Sequence, residues 1–411
     1  MTTTANPVPL AEADLPFIDV NDQQFLADPF PVLSDFRERT SLALSSRGVE
    51  VLPYELCAEL LNDRRLDVVT WEAFAVKGAP EIMVDYLEKG LLSNIGRERH
   101  DRIRRVFVQG FRPGTIQAQR PTMEVIADRL IDDFAAAGRC DVIEQFSGQF
   151  SIEVTCALIG IPAEDIPTFA HATKELALIF SNPLDPVRDR LDAALHELQD
   201  YSRELVARRR AIPPEERSEN FVNLLIGLQE AGEKIEGDEL IWGIGNLLFG
   251  AMDTTRFQVV GVLKSLIDHG AWEQVAADPE LIPGAVEEAI RWAPVVGFVP
   301  RRALKDAEIE GVVIPKDTVL MLNVLAANRD PSRFPDPYRF DISRETGQRL
   351  LFGRGLHKCL GDRLAWLILE MAVEKFTSRL TDARIVGETI LTPRNEQLIG
   401  NESFVIEYQQ R

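Results

Sequence analysis

The chain has 411 residues, 45% hydrophobic and 27% charged, with 65 acidic against 45 basic side chains and a formal charge of −20. That much apolar content supports a large packed core, and the acidity disfavours non-specific attachment to nucleic acid or to an anionic membrane surface. No stretch of about eighteen uncharged apolar residues is present to span a bilayer, and the opening MTTTANPVPLAEADLPF reads as neither signal peptide nor membrane anchor. The four cysteines, Cys57, Cys140, Cys156 and Cys359, show no CxxC pairing. They read as reduced thiols of a cytoplasmic protein.

In chain order, residues 1–27 read as a flexible N-terminal arm. Asp28-Pro29-Phe30 then opens an amphipathic helix to about Arg39, with two short strands following over 42–52. Pro53, tolerated in a first helical turn, starts a helix to about Leu61. The stretch 64–95 holds Trp71, Phe74 and Tyr86 without a clear period, and reads as a long irregular segment of the kind that carries function. Helical patterning dominates 97–210, broken at Arg112-Pro113-Gly114, Gly138, Gly160-Ile161-Pro162 and Asn182-Pro183. Residues 238–268 read as one helix about 45 Å long. Residues 298–325 alternate as strands do, helix returns over about 360–380, and short strands close the chain. The expected fold is mainly α with small β-sheets, in one domain covering 28–411.

The most informative stretch is Phe352-Gly353-Arg354-Gly355-Leu356-His357-Lys358-Cys359-Leu360-Gly361, a FGxGxHxCxG pattern. Its glycines let the backbone curl around the Cys359 sulfur, and a helix starting just after it brings a positive end to a thiolate. A buried cysteine beside a Gly-rich turn would be the bland alternative. Phosphate binding is excluded, because Gly353 and Gly355 lack the third glycine and any βαβ setting.

These residues resemble the thiolate loop of the cytochrome P450 superfamily, and the resemblance extends over nearly the whole chain from about Asp28. It implies a P450 fold with a long central helix over a haem b, whose iron takes Cys359 as its sulfur ligand. Thiolate donation favours O–O cleavage. Phe352, Gly353, His357 and Gly361 belong to the same cofactor-binding loop. Glu288-Ala289-Ile290-Arg291 matches the family's ExxR helix, and Arg339 in Pro337-Tyr338-Arg339-Phe340 stands where the family completes a Glu–Arg–Arg network.

In the long helix, Gly250-Ala251-Met252-Asp253-Thr254-Thr255 resembles the family's [AG]Gx[DE]T, with Ala251 replacing its second glycine. The resemblance makes Thr254 and Asp253 the catalytic pair that handles protons during O2 activation, at a local bulge of that helix. His100 and Arg104 fit an HxxxR that puts both on one helix face. With Arg301 and His357 they are the expected partners of the haem propionates.

The expected substrate pocket comprises Phe74, Asn246, Phe249, Gly250, Val296, Phe298 and Ile399. It is apolar with one amide and suits a small or medium hydrophobic substrate. The resemblance implies a monooxygenase fed by a separate ferredoxin and reductase, docking near Arg105, Arg112, Arg354 and Lys358. Desaturation, ring coupling, or a haem sensor without turnover are the alternatives; the intact Asp253–Thr254 pair speaks against the last.

Overall fold

The computed structural model describes residues 7–70, 79–180, 184–345, 350–392 and 397–411. Local chemistry sets many of the boundaries. The Asp28 carboxylate accepts a hydrogen bond from the Phe30 N–H at 3.1 Å and caps Pro29–Arg39, whose leading proline has no N–H to leave orphaned. Asn220 caps Phe221–Glu230 by accepting from the Asn223 N–H. Gly160 ends Gly148–Ile159 in the left-handed conformation that glycine tolerates.

By its packing the chain divides into two compact units, each made of three separate stretches of sequence. The first comprises Met1–Val69, Val260–Cys359 and Ala383–Phe404. Its centre is a five-stranded sheet in the order Leu42–Ser45, Gly48–Val51, Val319–Asn323, Phe298–Ala303, Leu66–Asp67. Gly48–Val51 runs parallel to Val319–Asn323, and the remaining pairs are antiparallel. One face buries Leu42, Val49, Val51, Leu320 and Leu322 against Tyr54, Cys57 and Leu61 of the following helix region. Burying such side chains contributes about 1.5–3 kcal/mol each.

The second unit comprises Thr70–Val259, Leu360–Asp382 and Val405–Arg411. Helices Arg120–Ala135, Gly148–Ile159 and Asp362–Arg379 form its centre, where Phe134, Phe146 and Phe376 meet at ring-centroid distances of 4.7–6.0 Å. Lys375 pairs with Asp128 at 2.7 Å along the same contact. The strand Val405–Gln410 adds antiparallel to Arg139–Asp141. The long helix is continuous over Gly237–Asp268, 32 residues.

Two segments differ from the sequence reading. Residues 7–27, expected to be a mobile arm, pair Val8–Pro9 with Val312–Val313 and bury Ile18, Val20 and Phe25. Those apolar residues lie too far apart to show a local period, so only the partner strand reveals them. The stretch 64–95 contains the helix Glu81–Lys89, which buries Met83, Tyr86 and Leu87 at helical spacing. Trp71 and Phe74 of that stretch lie outside the described residues.

Candidate active site

In the first unit, Leu350–Phe352 and Gly355–His357 are single turns that lead the chain into Cys359. The Cys359 N–H donates to the Phe352 carbonyl at 2.7 Å and closes the loop. Gly353 and Gly355 both have φ of +65°, a conformation side chains rarely adopt, and a Cβ on Gly355 would stand 2.4 Å from the Asn62 amide oxygen. Of the four cysteines, Cys359 alone is exposed. Burial pushes the Cys140 and Cys156 thiols up to about 12 and Cys57 still higher. Those three are protonated at neutral pH and poor ligands.

Beside this loop lies a buried polar group that the sequence did not reveal. His357 Nε2 sits 3.0 Å from the Asp67 carboxylate, and Asp67 is 5% exposed at the sheet edge. Arg301, also 5% exposed, donates to the Pro300 carbonyl at 2.9 Å. Burial lowers its guanidinium to about 10, while Asp67 pulls it back up. Asp67 thus contacts His357 directly and acts on Arg301 only through its field. Asp67 lies in the stretch that reads as irregular, and only its pairing with Phe298–Ala303 places it here.

The Glu288–Arg291 pair is buried completely. Arg291 Nε and Nη2 donate to the two Glu288 oxygens, each at 2.7 Å. Arg291 Nη1 also donates to the Asn328 and Pro337 carbonyls at 2.9 Å. The third member corrects the sequence reading. The Arg339 side chain is 68% exposed and pairs with Asp341, whereas Arg344 approaches Glu288 at 3.4 Å. Arg339 contributes its backbone carbonyl instead, accepting from Arg291 Nη2 at 3.3 Å. The turn after Pro337 directs its side chain outward, which motif spacing cannot show.

Three expected pocket residues also belong to this unit. Val296 bridges to Leu398, whereas the Ile399 N–H donates to the Val295 carbonyl at 2.7 Å and the Ile399 side chain packs against the small core around Phe25 and Leu325, so Val296 and Ile399 are not brought together. Phe298 is 8% exposed within the central sheet with the Arg47 guanidinium 4.2 Å from its ring.

The second unit carries the remaining candidates. His100 is 1% exposed on Arg97–Phe107, and Arg104 follows one turn later on the same helix, half-buried. On the long helix, the Thr254 hydroxyl donates to the Gly250 carbonyl at 2.7 Å. The Asp253 carboxylate meets Arg256 at 2.8 Å, and the Arg256 guanidinium lies over Phe257. The expected bulge is not seen, the helix being α-helical throughout 250–255. Phe249 is half-buried and Gly250 exposed.

Asn246, the one amide among the expected pocket residues, is hydrogen-bonded to a neighbouring segment. Its oxygen accepts from the Leu92 N–H at 3.2 Å. One turn earlier the Trp242 indole donates to Asp85 at 2.6 Å, and fully buried Glu239 takes Arg99 at 2.9 Å and Arg102 at 2.7 Å. This row of the long helix grips the segment 81–102.

Of the four expected docking cations, Arg354 and Lys358 belong to the first unit and Arg105 and Arg112 to the second. Arg105, Arg112 and Lys358 are exposed; half-buried Arg354 donates to the Tyr54 hydroxyl at 3.2 Å. No helix among the described residues is long and apolar enough to cross a membrane.

Known proteins resemble this chain in sequence and in fold. The family described as Cytochrome P450 matches residues 272–381, which include the Glu288–Arg291 pair and Cys359. Luteothin monooxygenase of Streptomyces thioluteus is 31% identical over 406 residues, covering 96% of each chain. Mycinamicin IV hydroxylase/epoxidase of Micromonospora griseorubida is 32% identical over 76% of this chain and 78% of its own. The structure of cytochrome P450 CYP109Q5 from Chondromyces apiculatus superposes with a TM-score of 0.85 at 24% identity, covering 96% of this chain and 99% of the other.

Proposed function

The chain belongs to the cytochrome P450 family of monooxygenases, and from that premise we propose that it inserts one atom of O2 into a small or medium hydrophobic organic substrate. The reading carries over as one catalytic domain over 28–411, working in the cytoplasm with a separate ferredoxin and reductase as electron source. The exposure of Cys359 in a glycine-turned loop, against three buried and protonated cysteines, is the observation that carries it.

The family implies haem, and the proposed form is haem b. The donor set suits it. Arg301 is a buried cation with no ion pair among the described residues and only the field of Asp67 upon it, which is what a propionate would complete. Arg301, His357, His100 and Arg104 would hold the propionates, and Cys359 the iron, with Phe352, Gly353 and Gly361 shaping its loop. When bound, the thiolate-ligated haem supplies O2 activation and O–O cleavage.

The protein's own groups do the rest. The Thr254 hydroxyl donates its one proton to the Gly250 carbonyl and keeps its acceptor lone pairs, so it can accept a hydrogen bond as it stands and donates toward the substrate side only on releasing that carbonyl. The Asp253 carboxylate, oriented by its ion pair with Arg256, is the group that would relay protons through water. Phe249, Gly250, Val296, Phe298 and Ile399 offer apolar surface that would exclude water and orient the substrate.

The test is spectroscopic. Reduced protein under carbon monoxide should show the strongly red-shifted band of a thiolate-ligated haem, and Cys359→Ala should lose it while Cys57→Ala, Cys140→Ala and Cys156→Ala keep it. A Cys359→Ala protein retaining the band would overturn the assignment.

A further inference from the structure

The first unit contains a cavity of about 490 Å³ whose walls include Asp28, Phe30, Ser34, Trp292, Arg329 and Tyr338. Arg329 is 2% exposed. Its Nη1 donates to the Arg291 carbonyl at 2.9 Å and Nη2 to the Trp292 carbonyl at 2.7 Å. These two bonds satisfy the end of the helix Ile282–Trp292. They leave the charge and the third donor unexplained. Nε is buried with no hydrogen-bond partner, and the guanidinium makes no ion pair, among the described residues. Phe30 and Trp292 stand at 4.4 and 4.3 Å from it. Burial pushes the guanidinium down to about 9 and Arg291 adds to that, with Glu288, Tyr338 and Asp28 opposing in part.

A buried cation held by two neutral carbonyls and two aromatic rings keeps a field that an anion relieves. We propose that this cavity binds a small aromatic carboxylate, its anionic end directed to Arg329 and its ring lying along Phe30 and Trp292. Asp28 shares the wall, with one oxygen engaged by the Phe30 N–H. Its charge selects a monoanion over a dianion. The Ser34 and Tyr338 hydroxyls supply neutral donors, and Tyr338 is half exposed at the wall. The volume accommodates one or two rings.

The experiment is calorimetric titration of the haem-loaded, full-length protein with benzoate, and with benzyl alcohol as the neutral probe. Benzoate should bind saturably, and benzyl alcohol at least about tenfold more weakly, because a hydrogen bond to a charged group is worth at least that factor. Ser34→Phe fills the cavity from an adjacent helix without touching Arg329 and should abolish benzoate binding. Arg329→Gln should weaken it about tenfold, and if that variant fails to fold, Ser34→Phe still decides. Saturating the haem iron with imidazole should leave the benzoate titration unchanged. The proposal is overturned by an absence of saturation, by equal affinity for the two probes, by full binding in Ser34→Phe, or by competition with imidazole.

Discussion

The two regions that carry the candidate chemistry are held in opposite ways. Around the cysteine loop, charged groups are buried and multiply bonded. Glu288 is 0% exposed and takes two bonds from Arg291, one from the Asp341 N–H at 2.8 Å and an approach from Arg344. In the middle of the long helix, Thr254 and Asp253 bond, among the described residues, within their own helix, to Gly250 and Arg256, and about a quarter of the Asp253 side chain is exposed. A buried ion pair fixes position, because removing one partner strands an uncompensated charge. A group bonded within its own turn can exchange partners at little cost. A ligand loop needs the first arrangement and proton handling the second.

The largest effect should come from breaking the fixed region. Glu288→Ala should destabilise the protein by about 3–5 kcal/mol, the range for a stranded buried charge, read as a lowered denaturant midpoint. A loss under about 1 kcal/mol would mean that water satisfies Arg291 and that the region is not locked. Next, the corrected network separates two arginines. Arg344→Ala, which removes donors to Glu288 and to the Pro335 carbonyl, should cost roughly 1.5–3 kcal/mol. Arg339→Ala, an exposed pair with Asp341, should cost less than about 1 kcal/mol. Reversal of that order would restore Arg339 as the third partner.

The region in the long helix should respond in function rather than stability. Thr254→Ala removes one helix-internal hydrogen bond and should change unfolding free energy by about 1 kcal/mol or less. NADH oxidation should continue in the ferredoxin-coupled assay while product formed per NADH falls several-fold. Unchanged coupling would make Thr254 a helix residue only. The smallest effect samples one surface cation from each region. Lys358→Glu and Arg105→Glu should each raise the apparent Michaelis constant for ferredoxin a few-fold and leave substrate affinity unaltered. The effect should shrink as ionic strength rises, because steering is screened. Insensitivity to both salt and charge would place the electron donor elsewhere.

The sequence by itself determined what depends on neighbours along the chain. The glycine-turned cysteine loop, the Glu288–Arg291 pair at i, i+3 and the length of the long helix, Gly237–Asp268 against an expected 238–268, are all local patterns, although the bulge expected at 250–255 is not among them. The tertiary structure decided what depends on distant partners. Asp67 meets His357 across 290 positions, Asn246 meets the Leu92 N–H across 154, and Arg344 reaches Glu288 across 56. Residues 7–27 find their place only against Val312–Val313 and the small core around Phe25. The physical reason is the range of the forces involved. Helical spacing and glycine dihedrals are written in adjacent residues, whereas a buried charge chooses among all the donors that folding brings within hydrogen-bond reach.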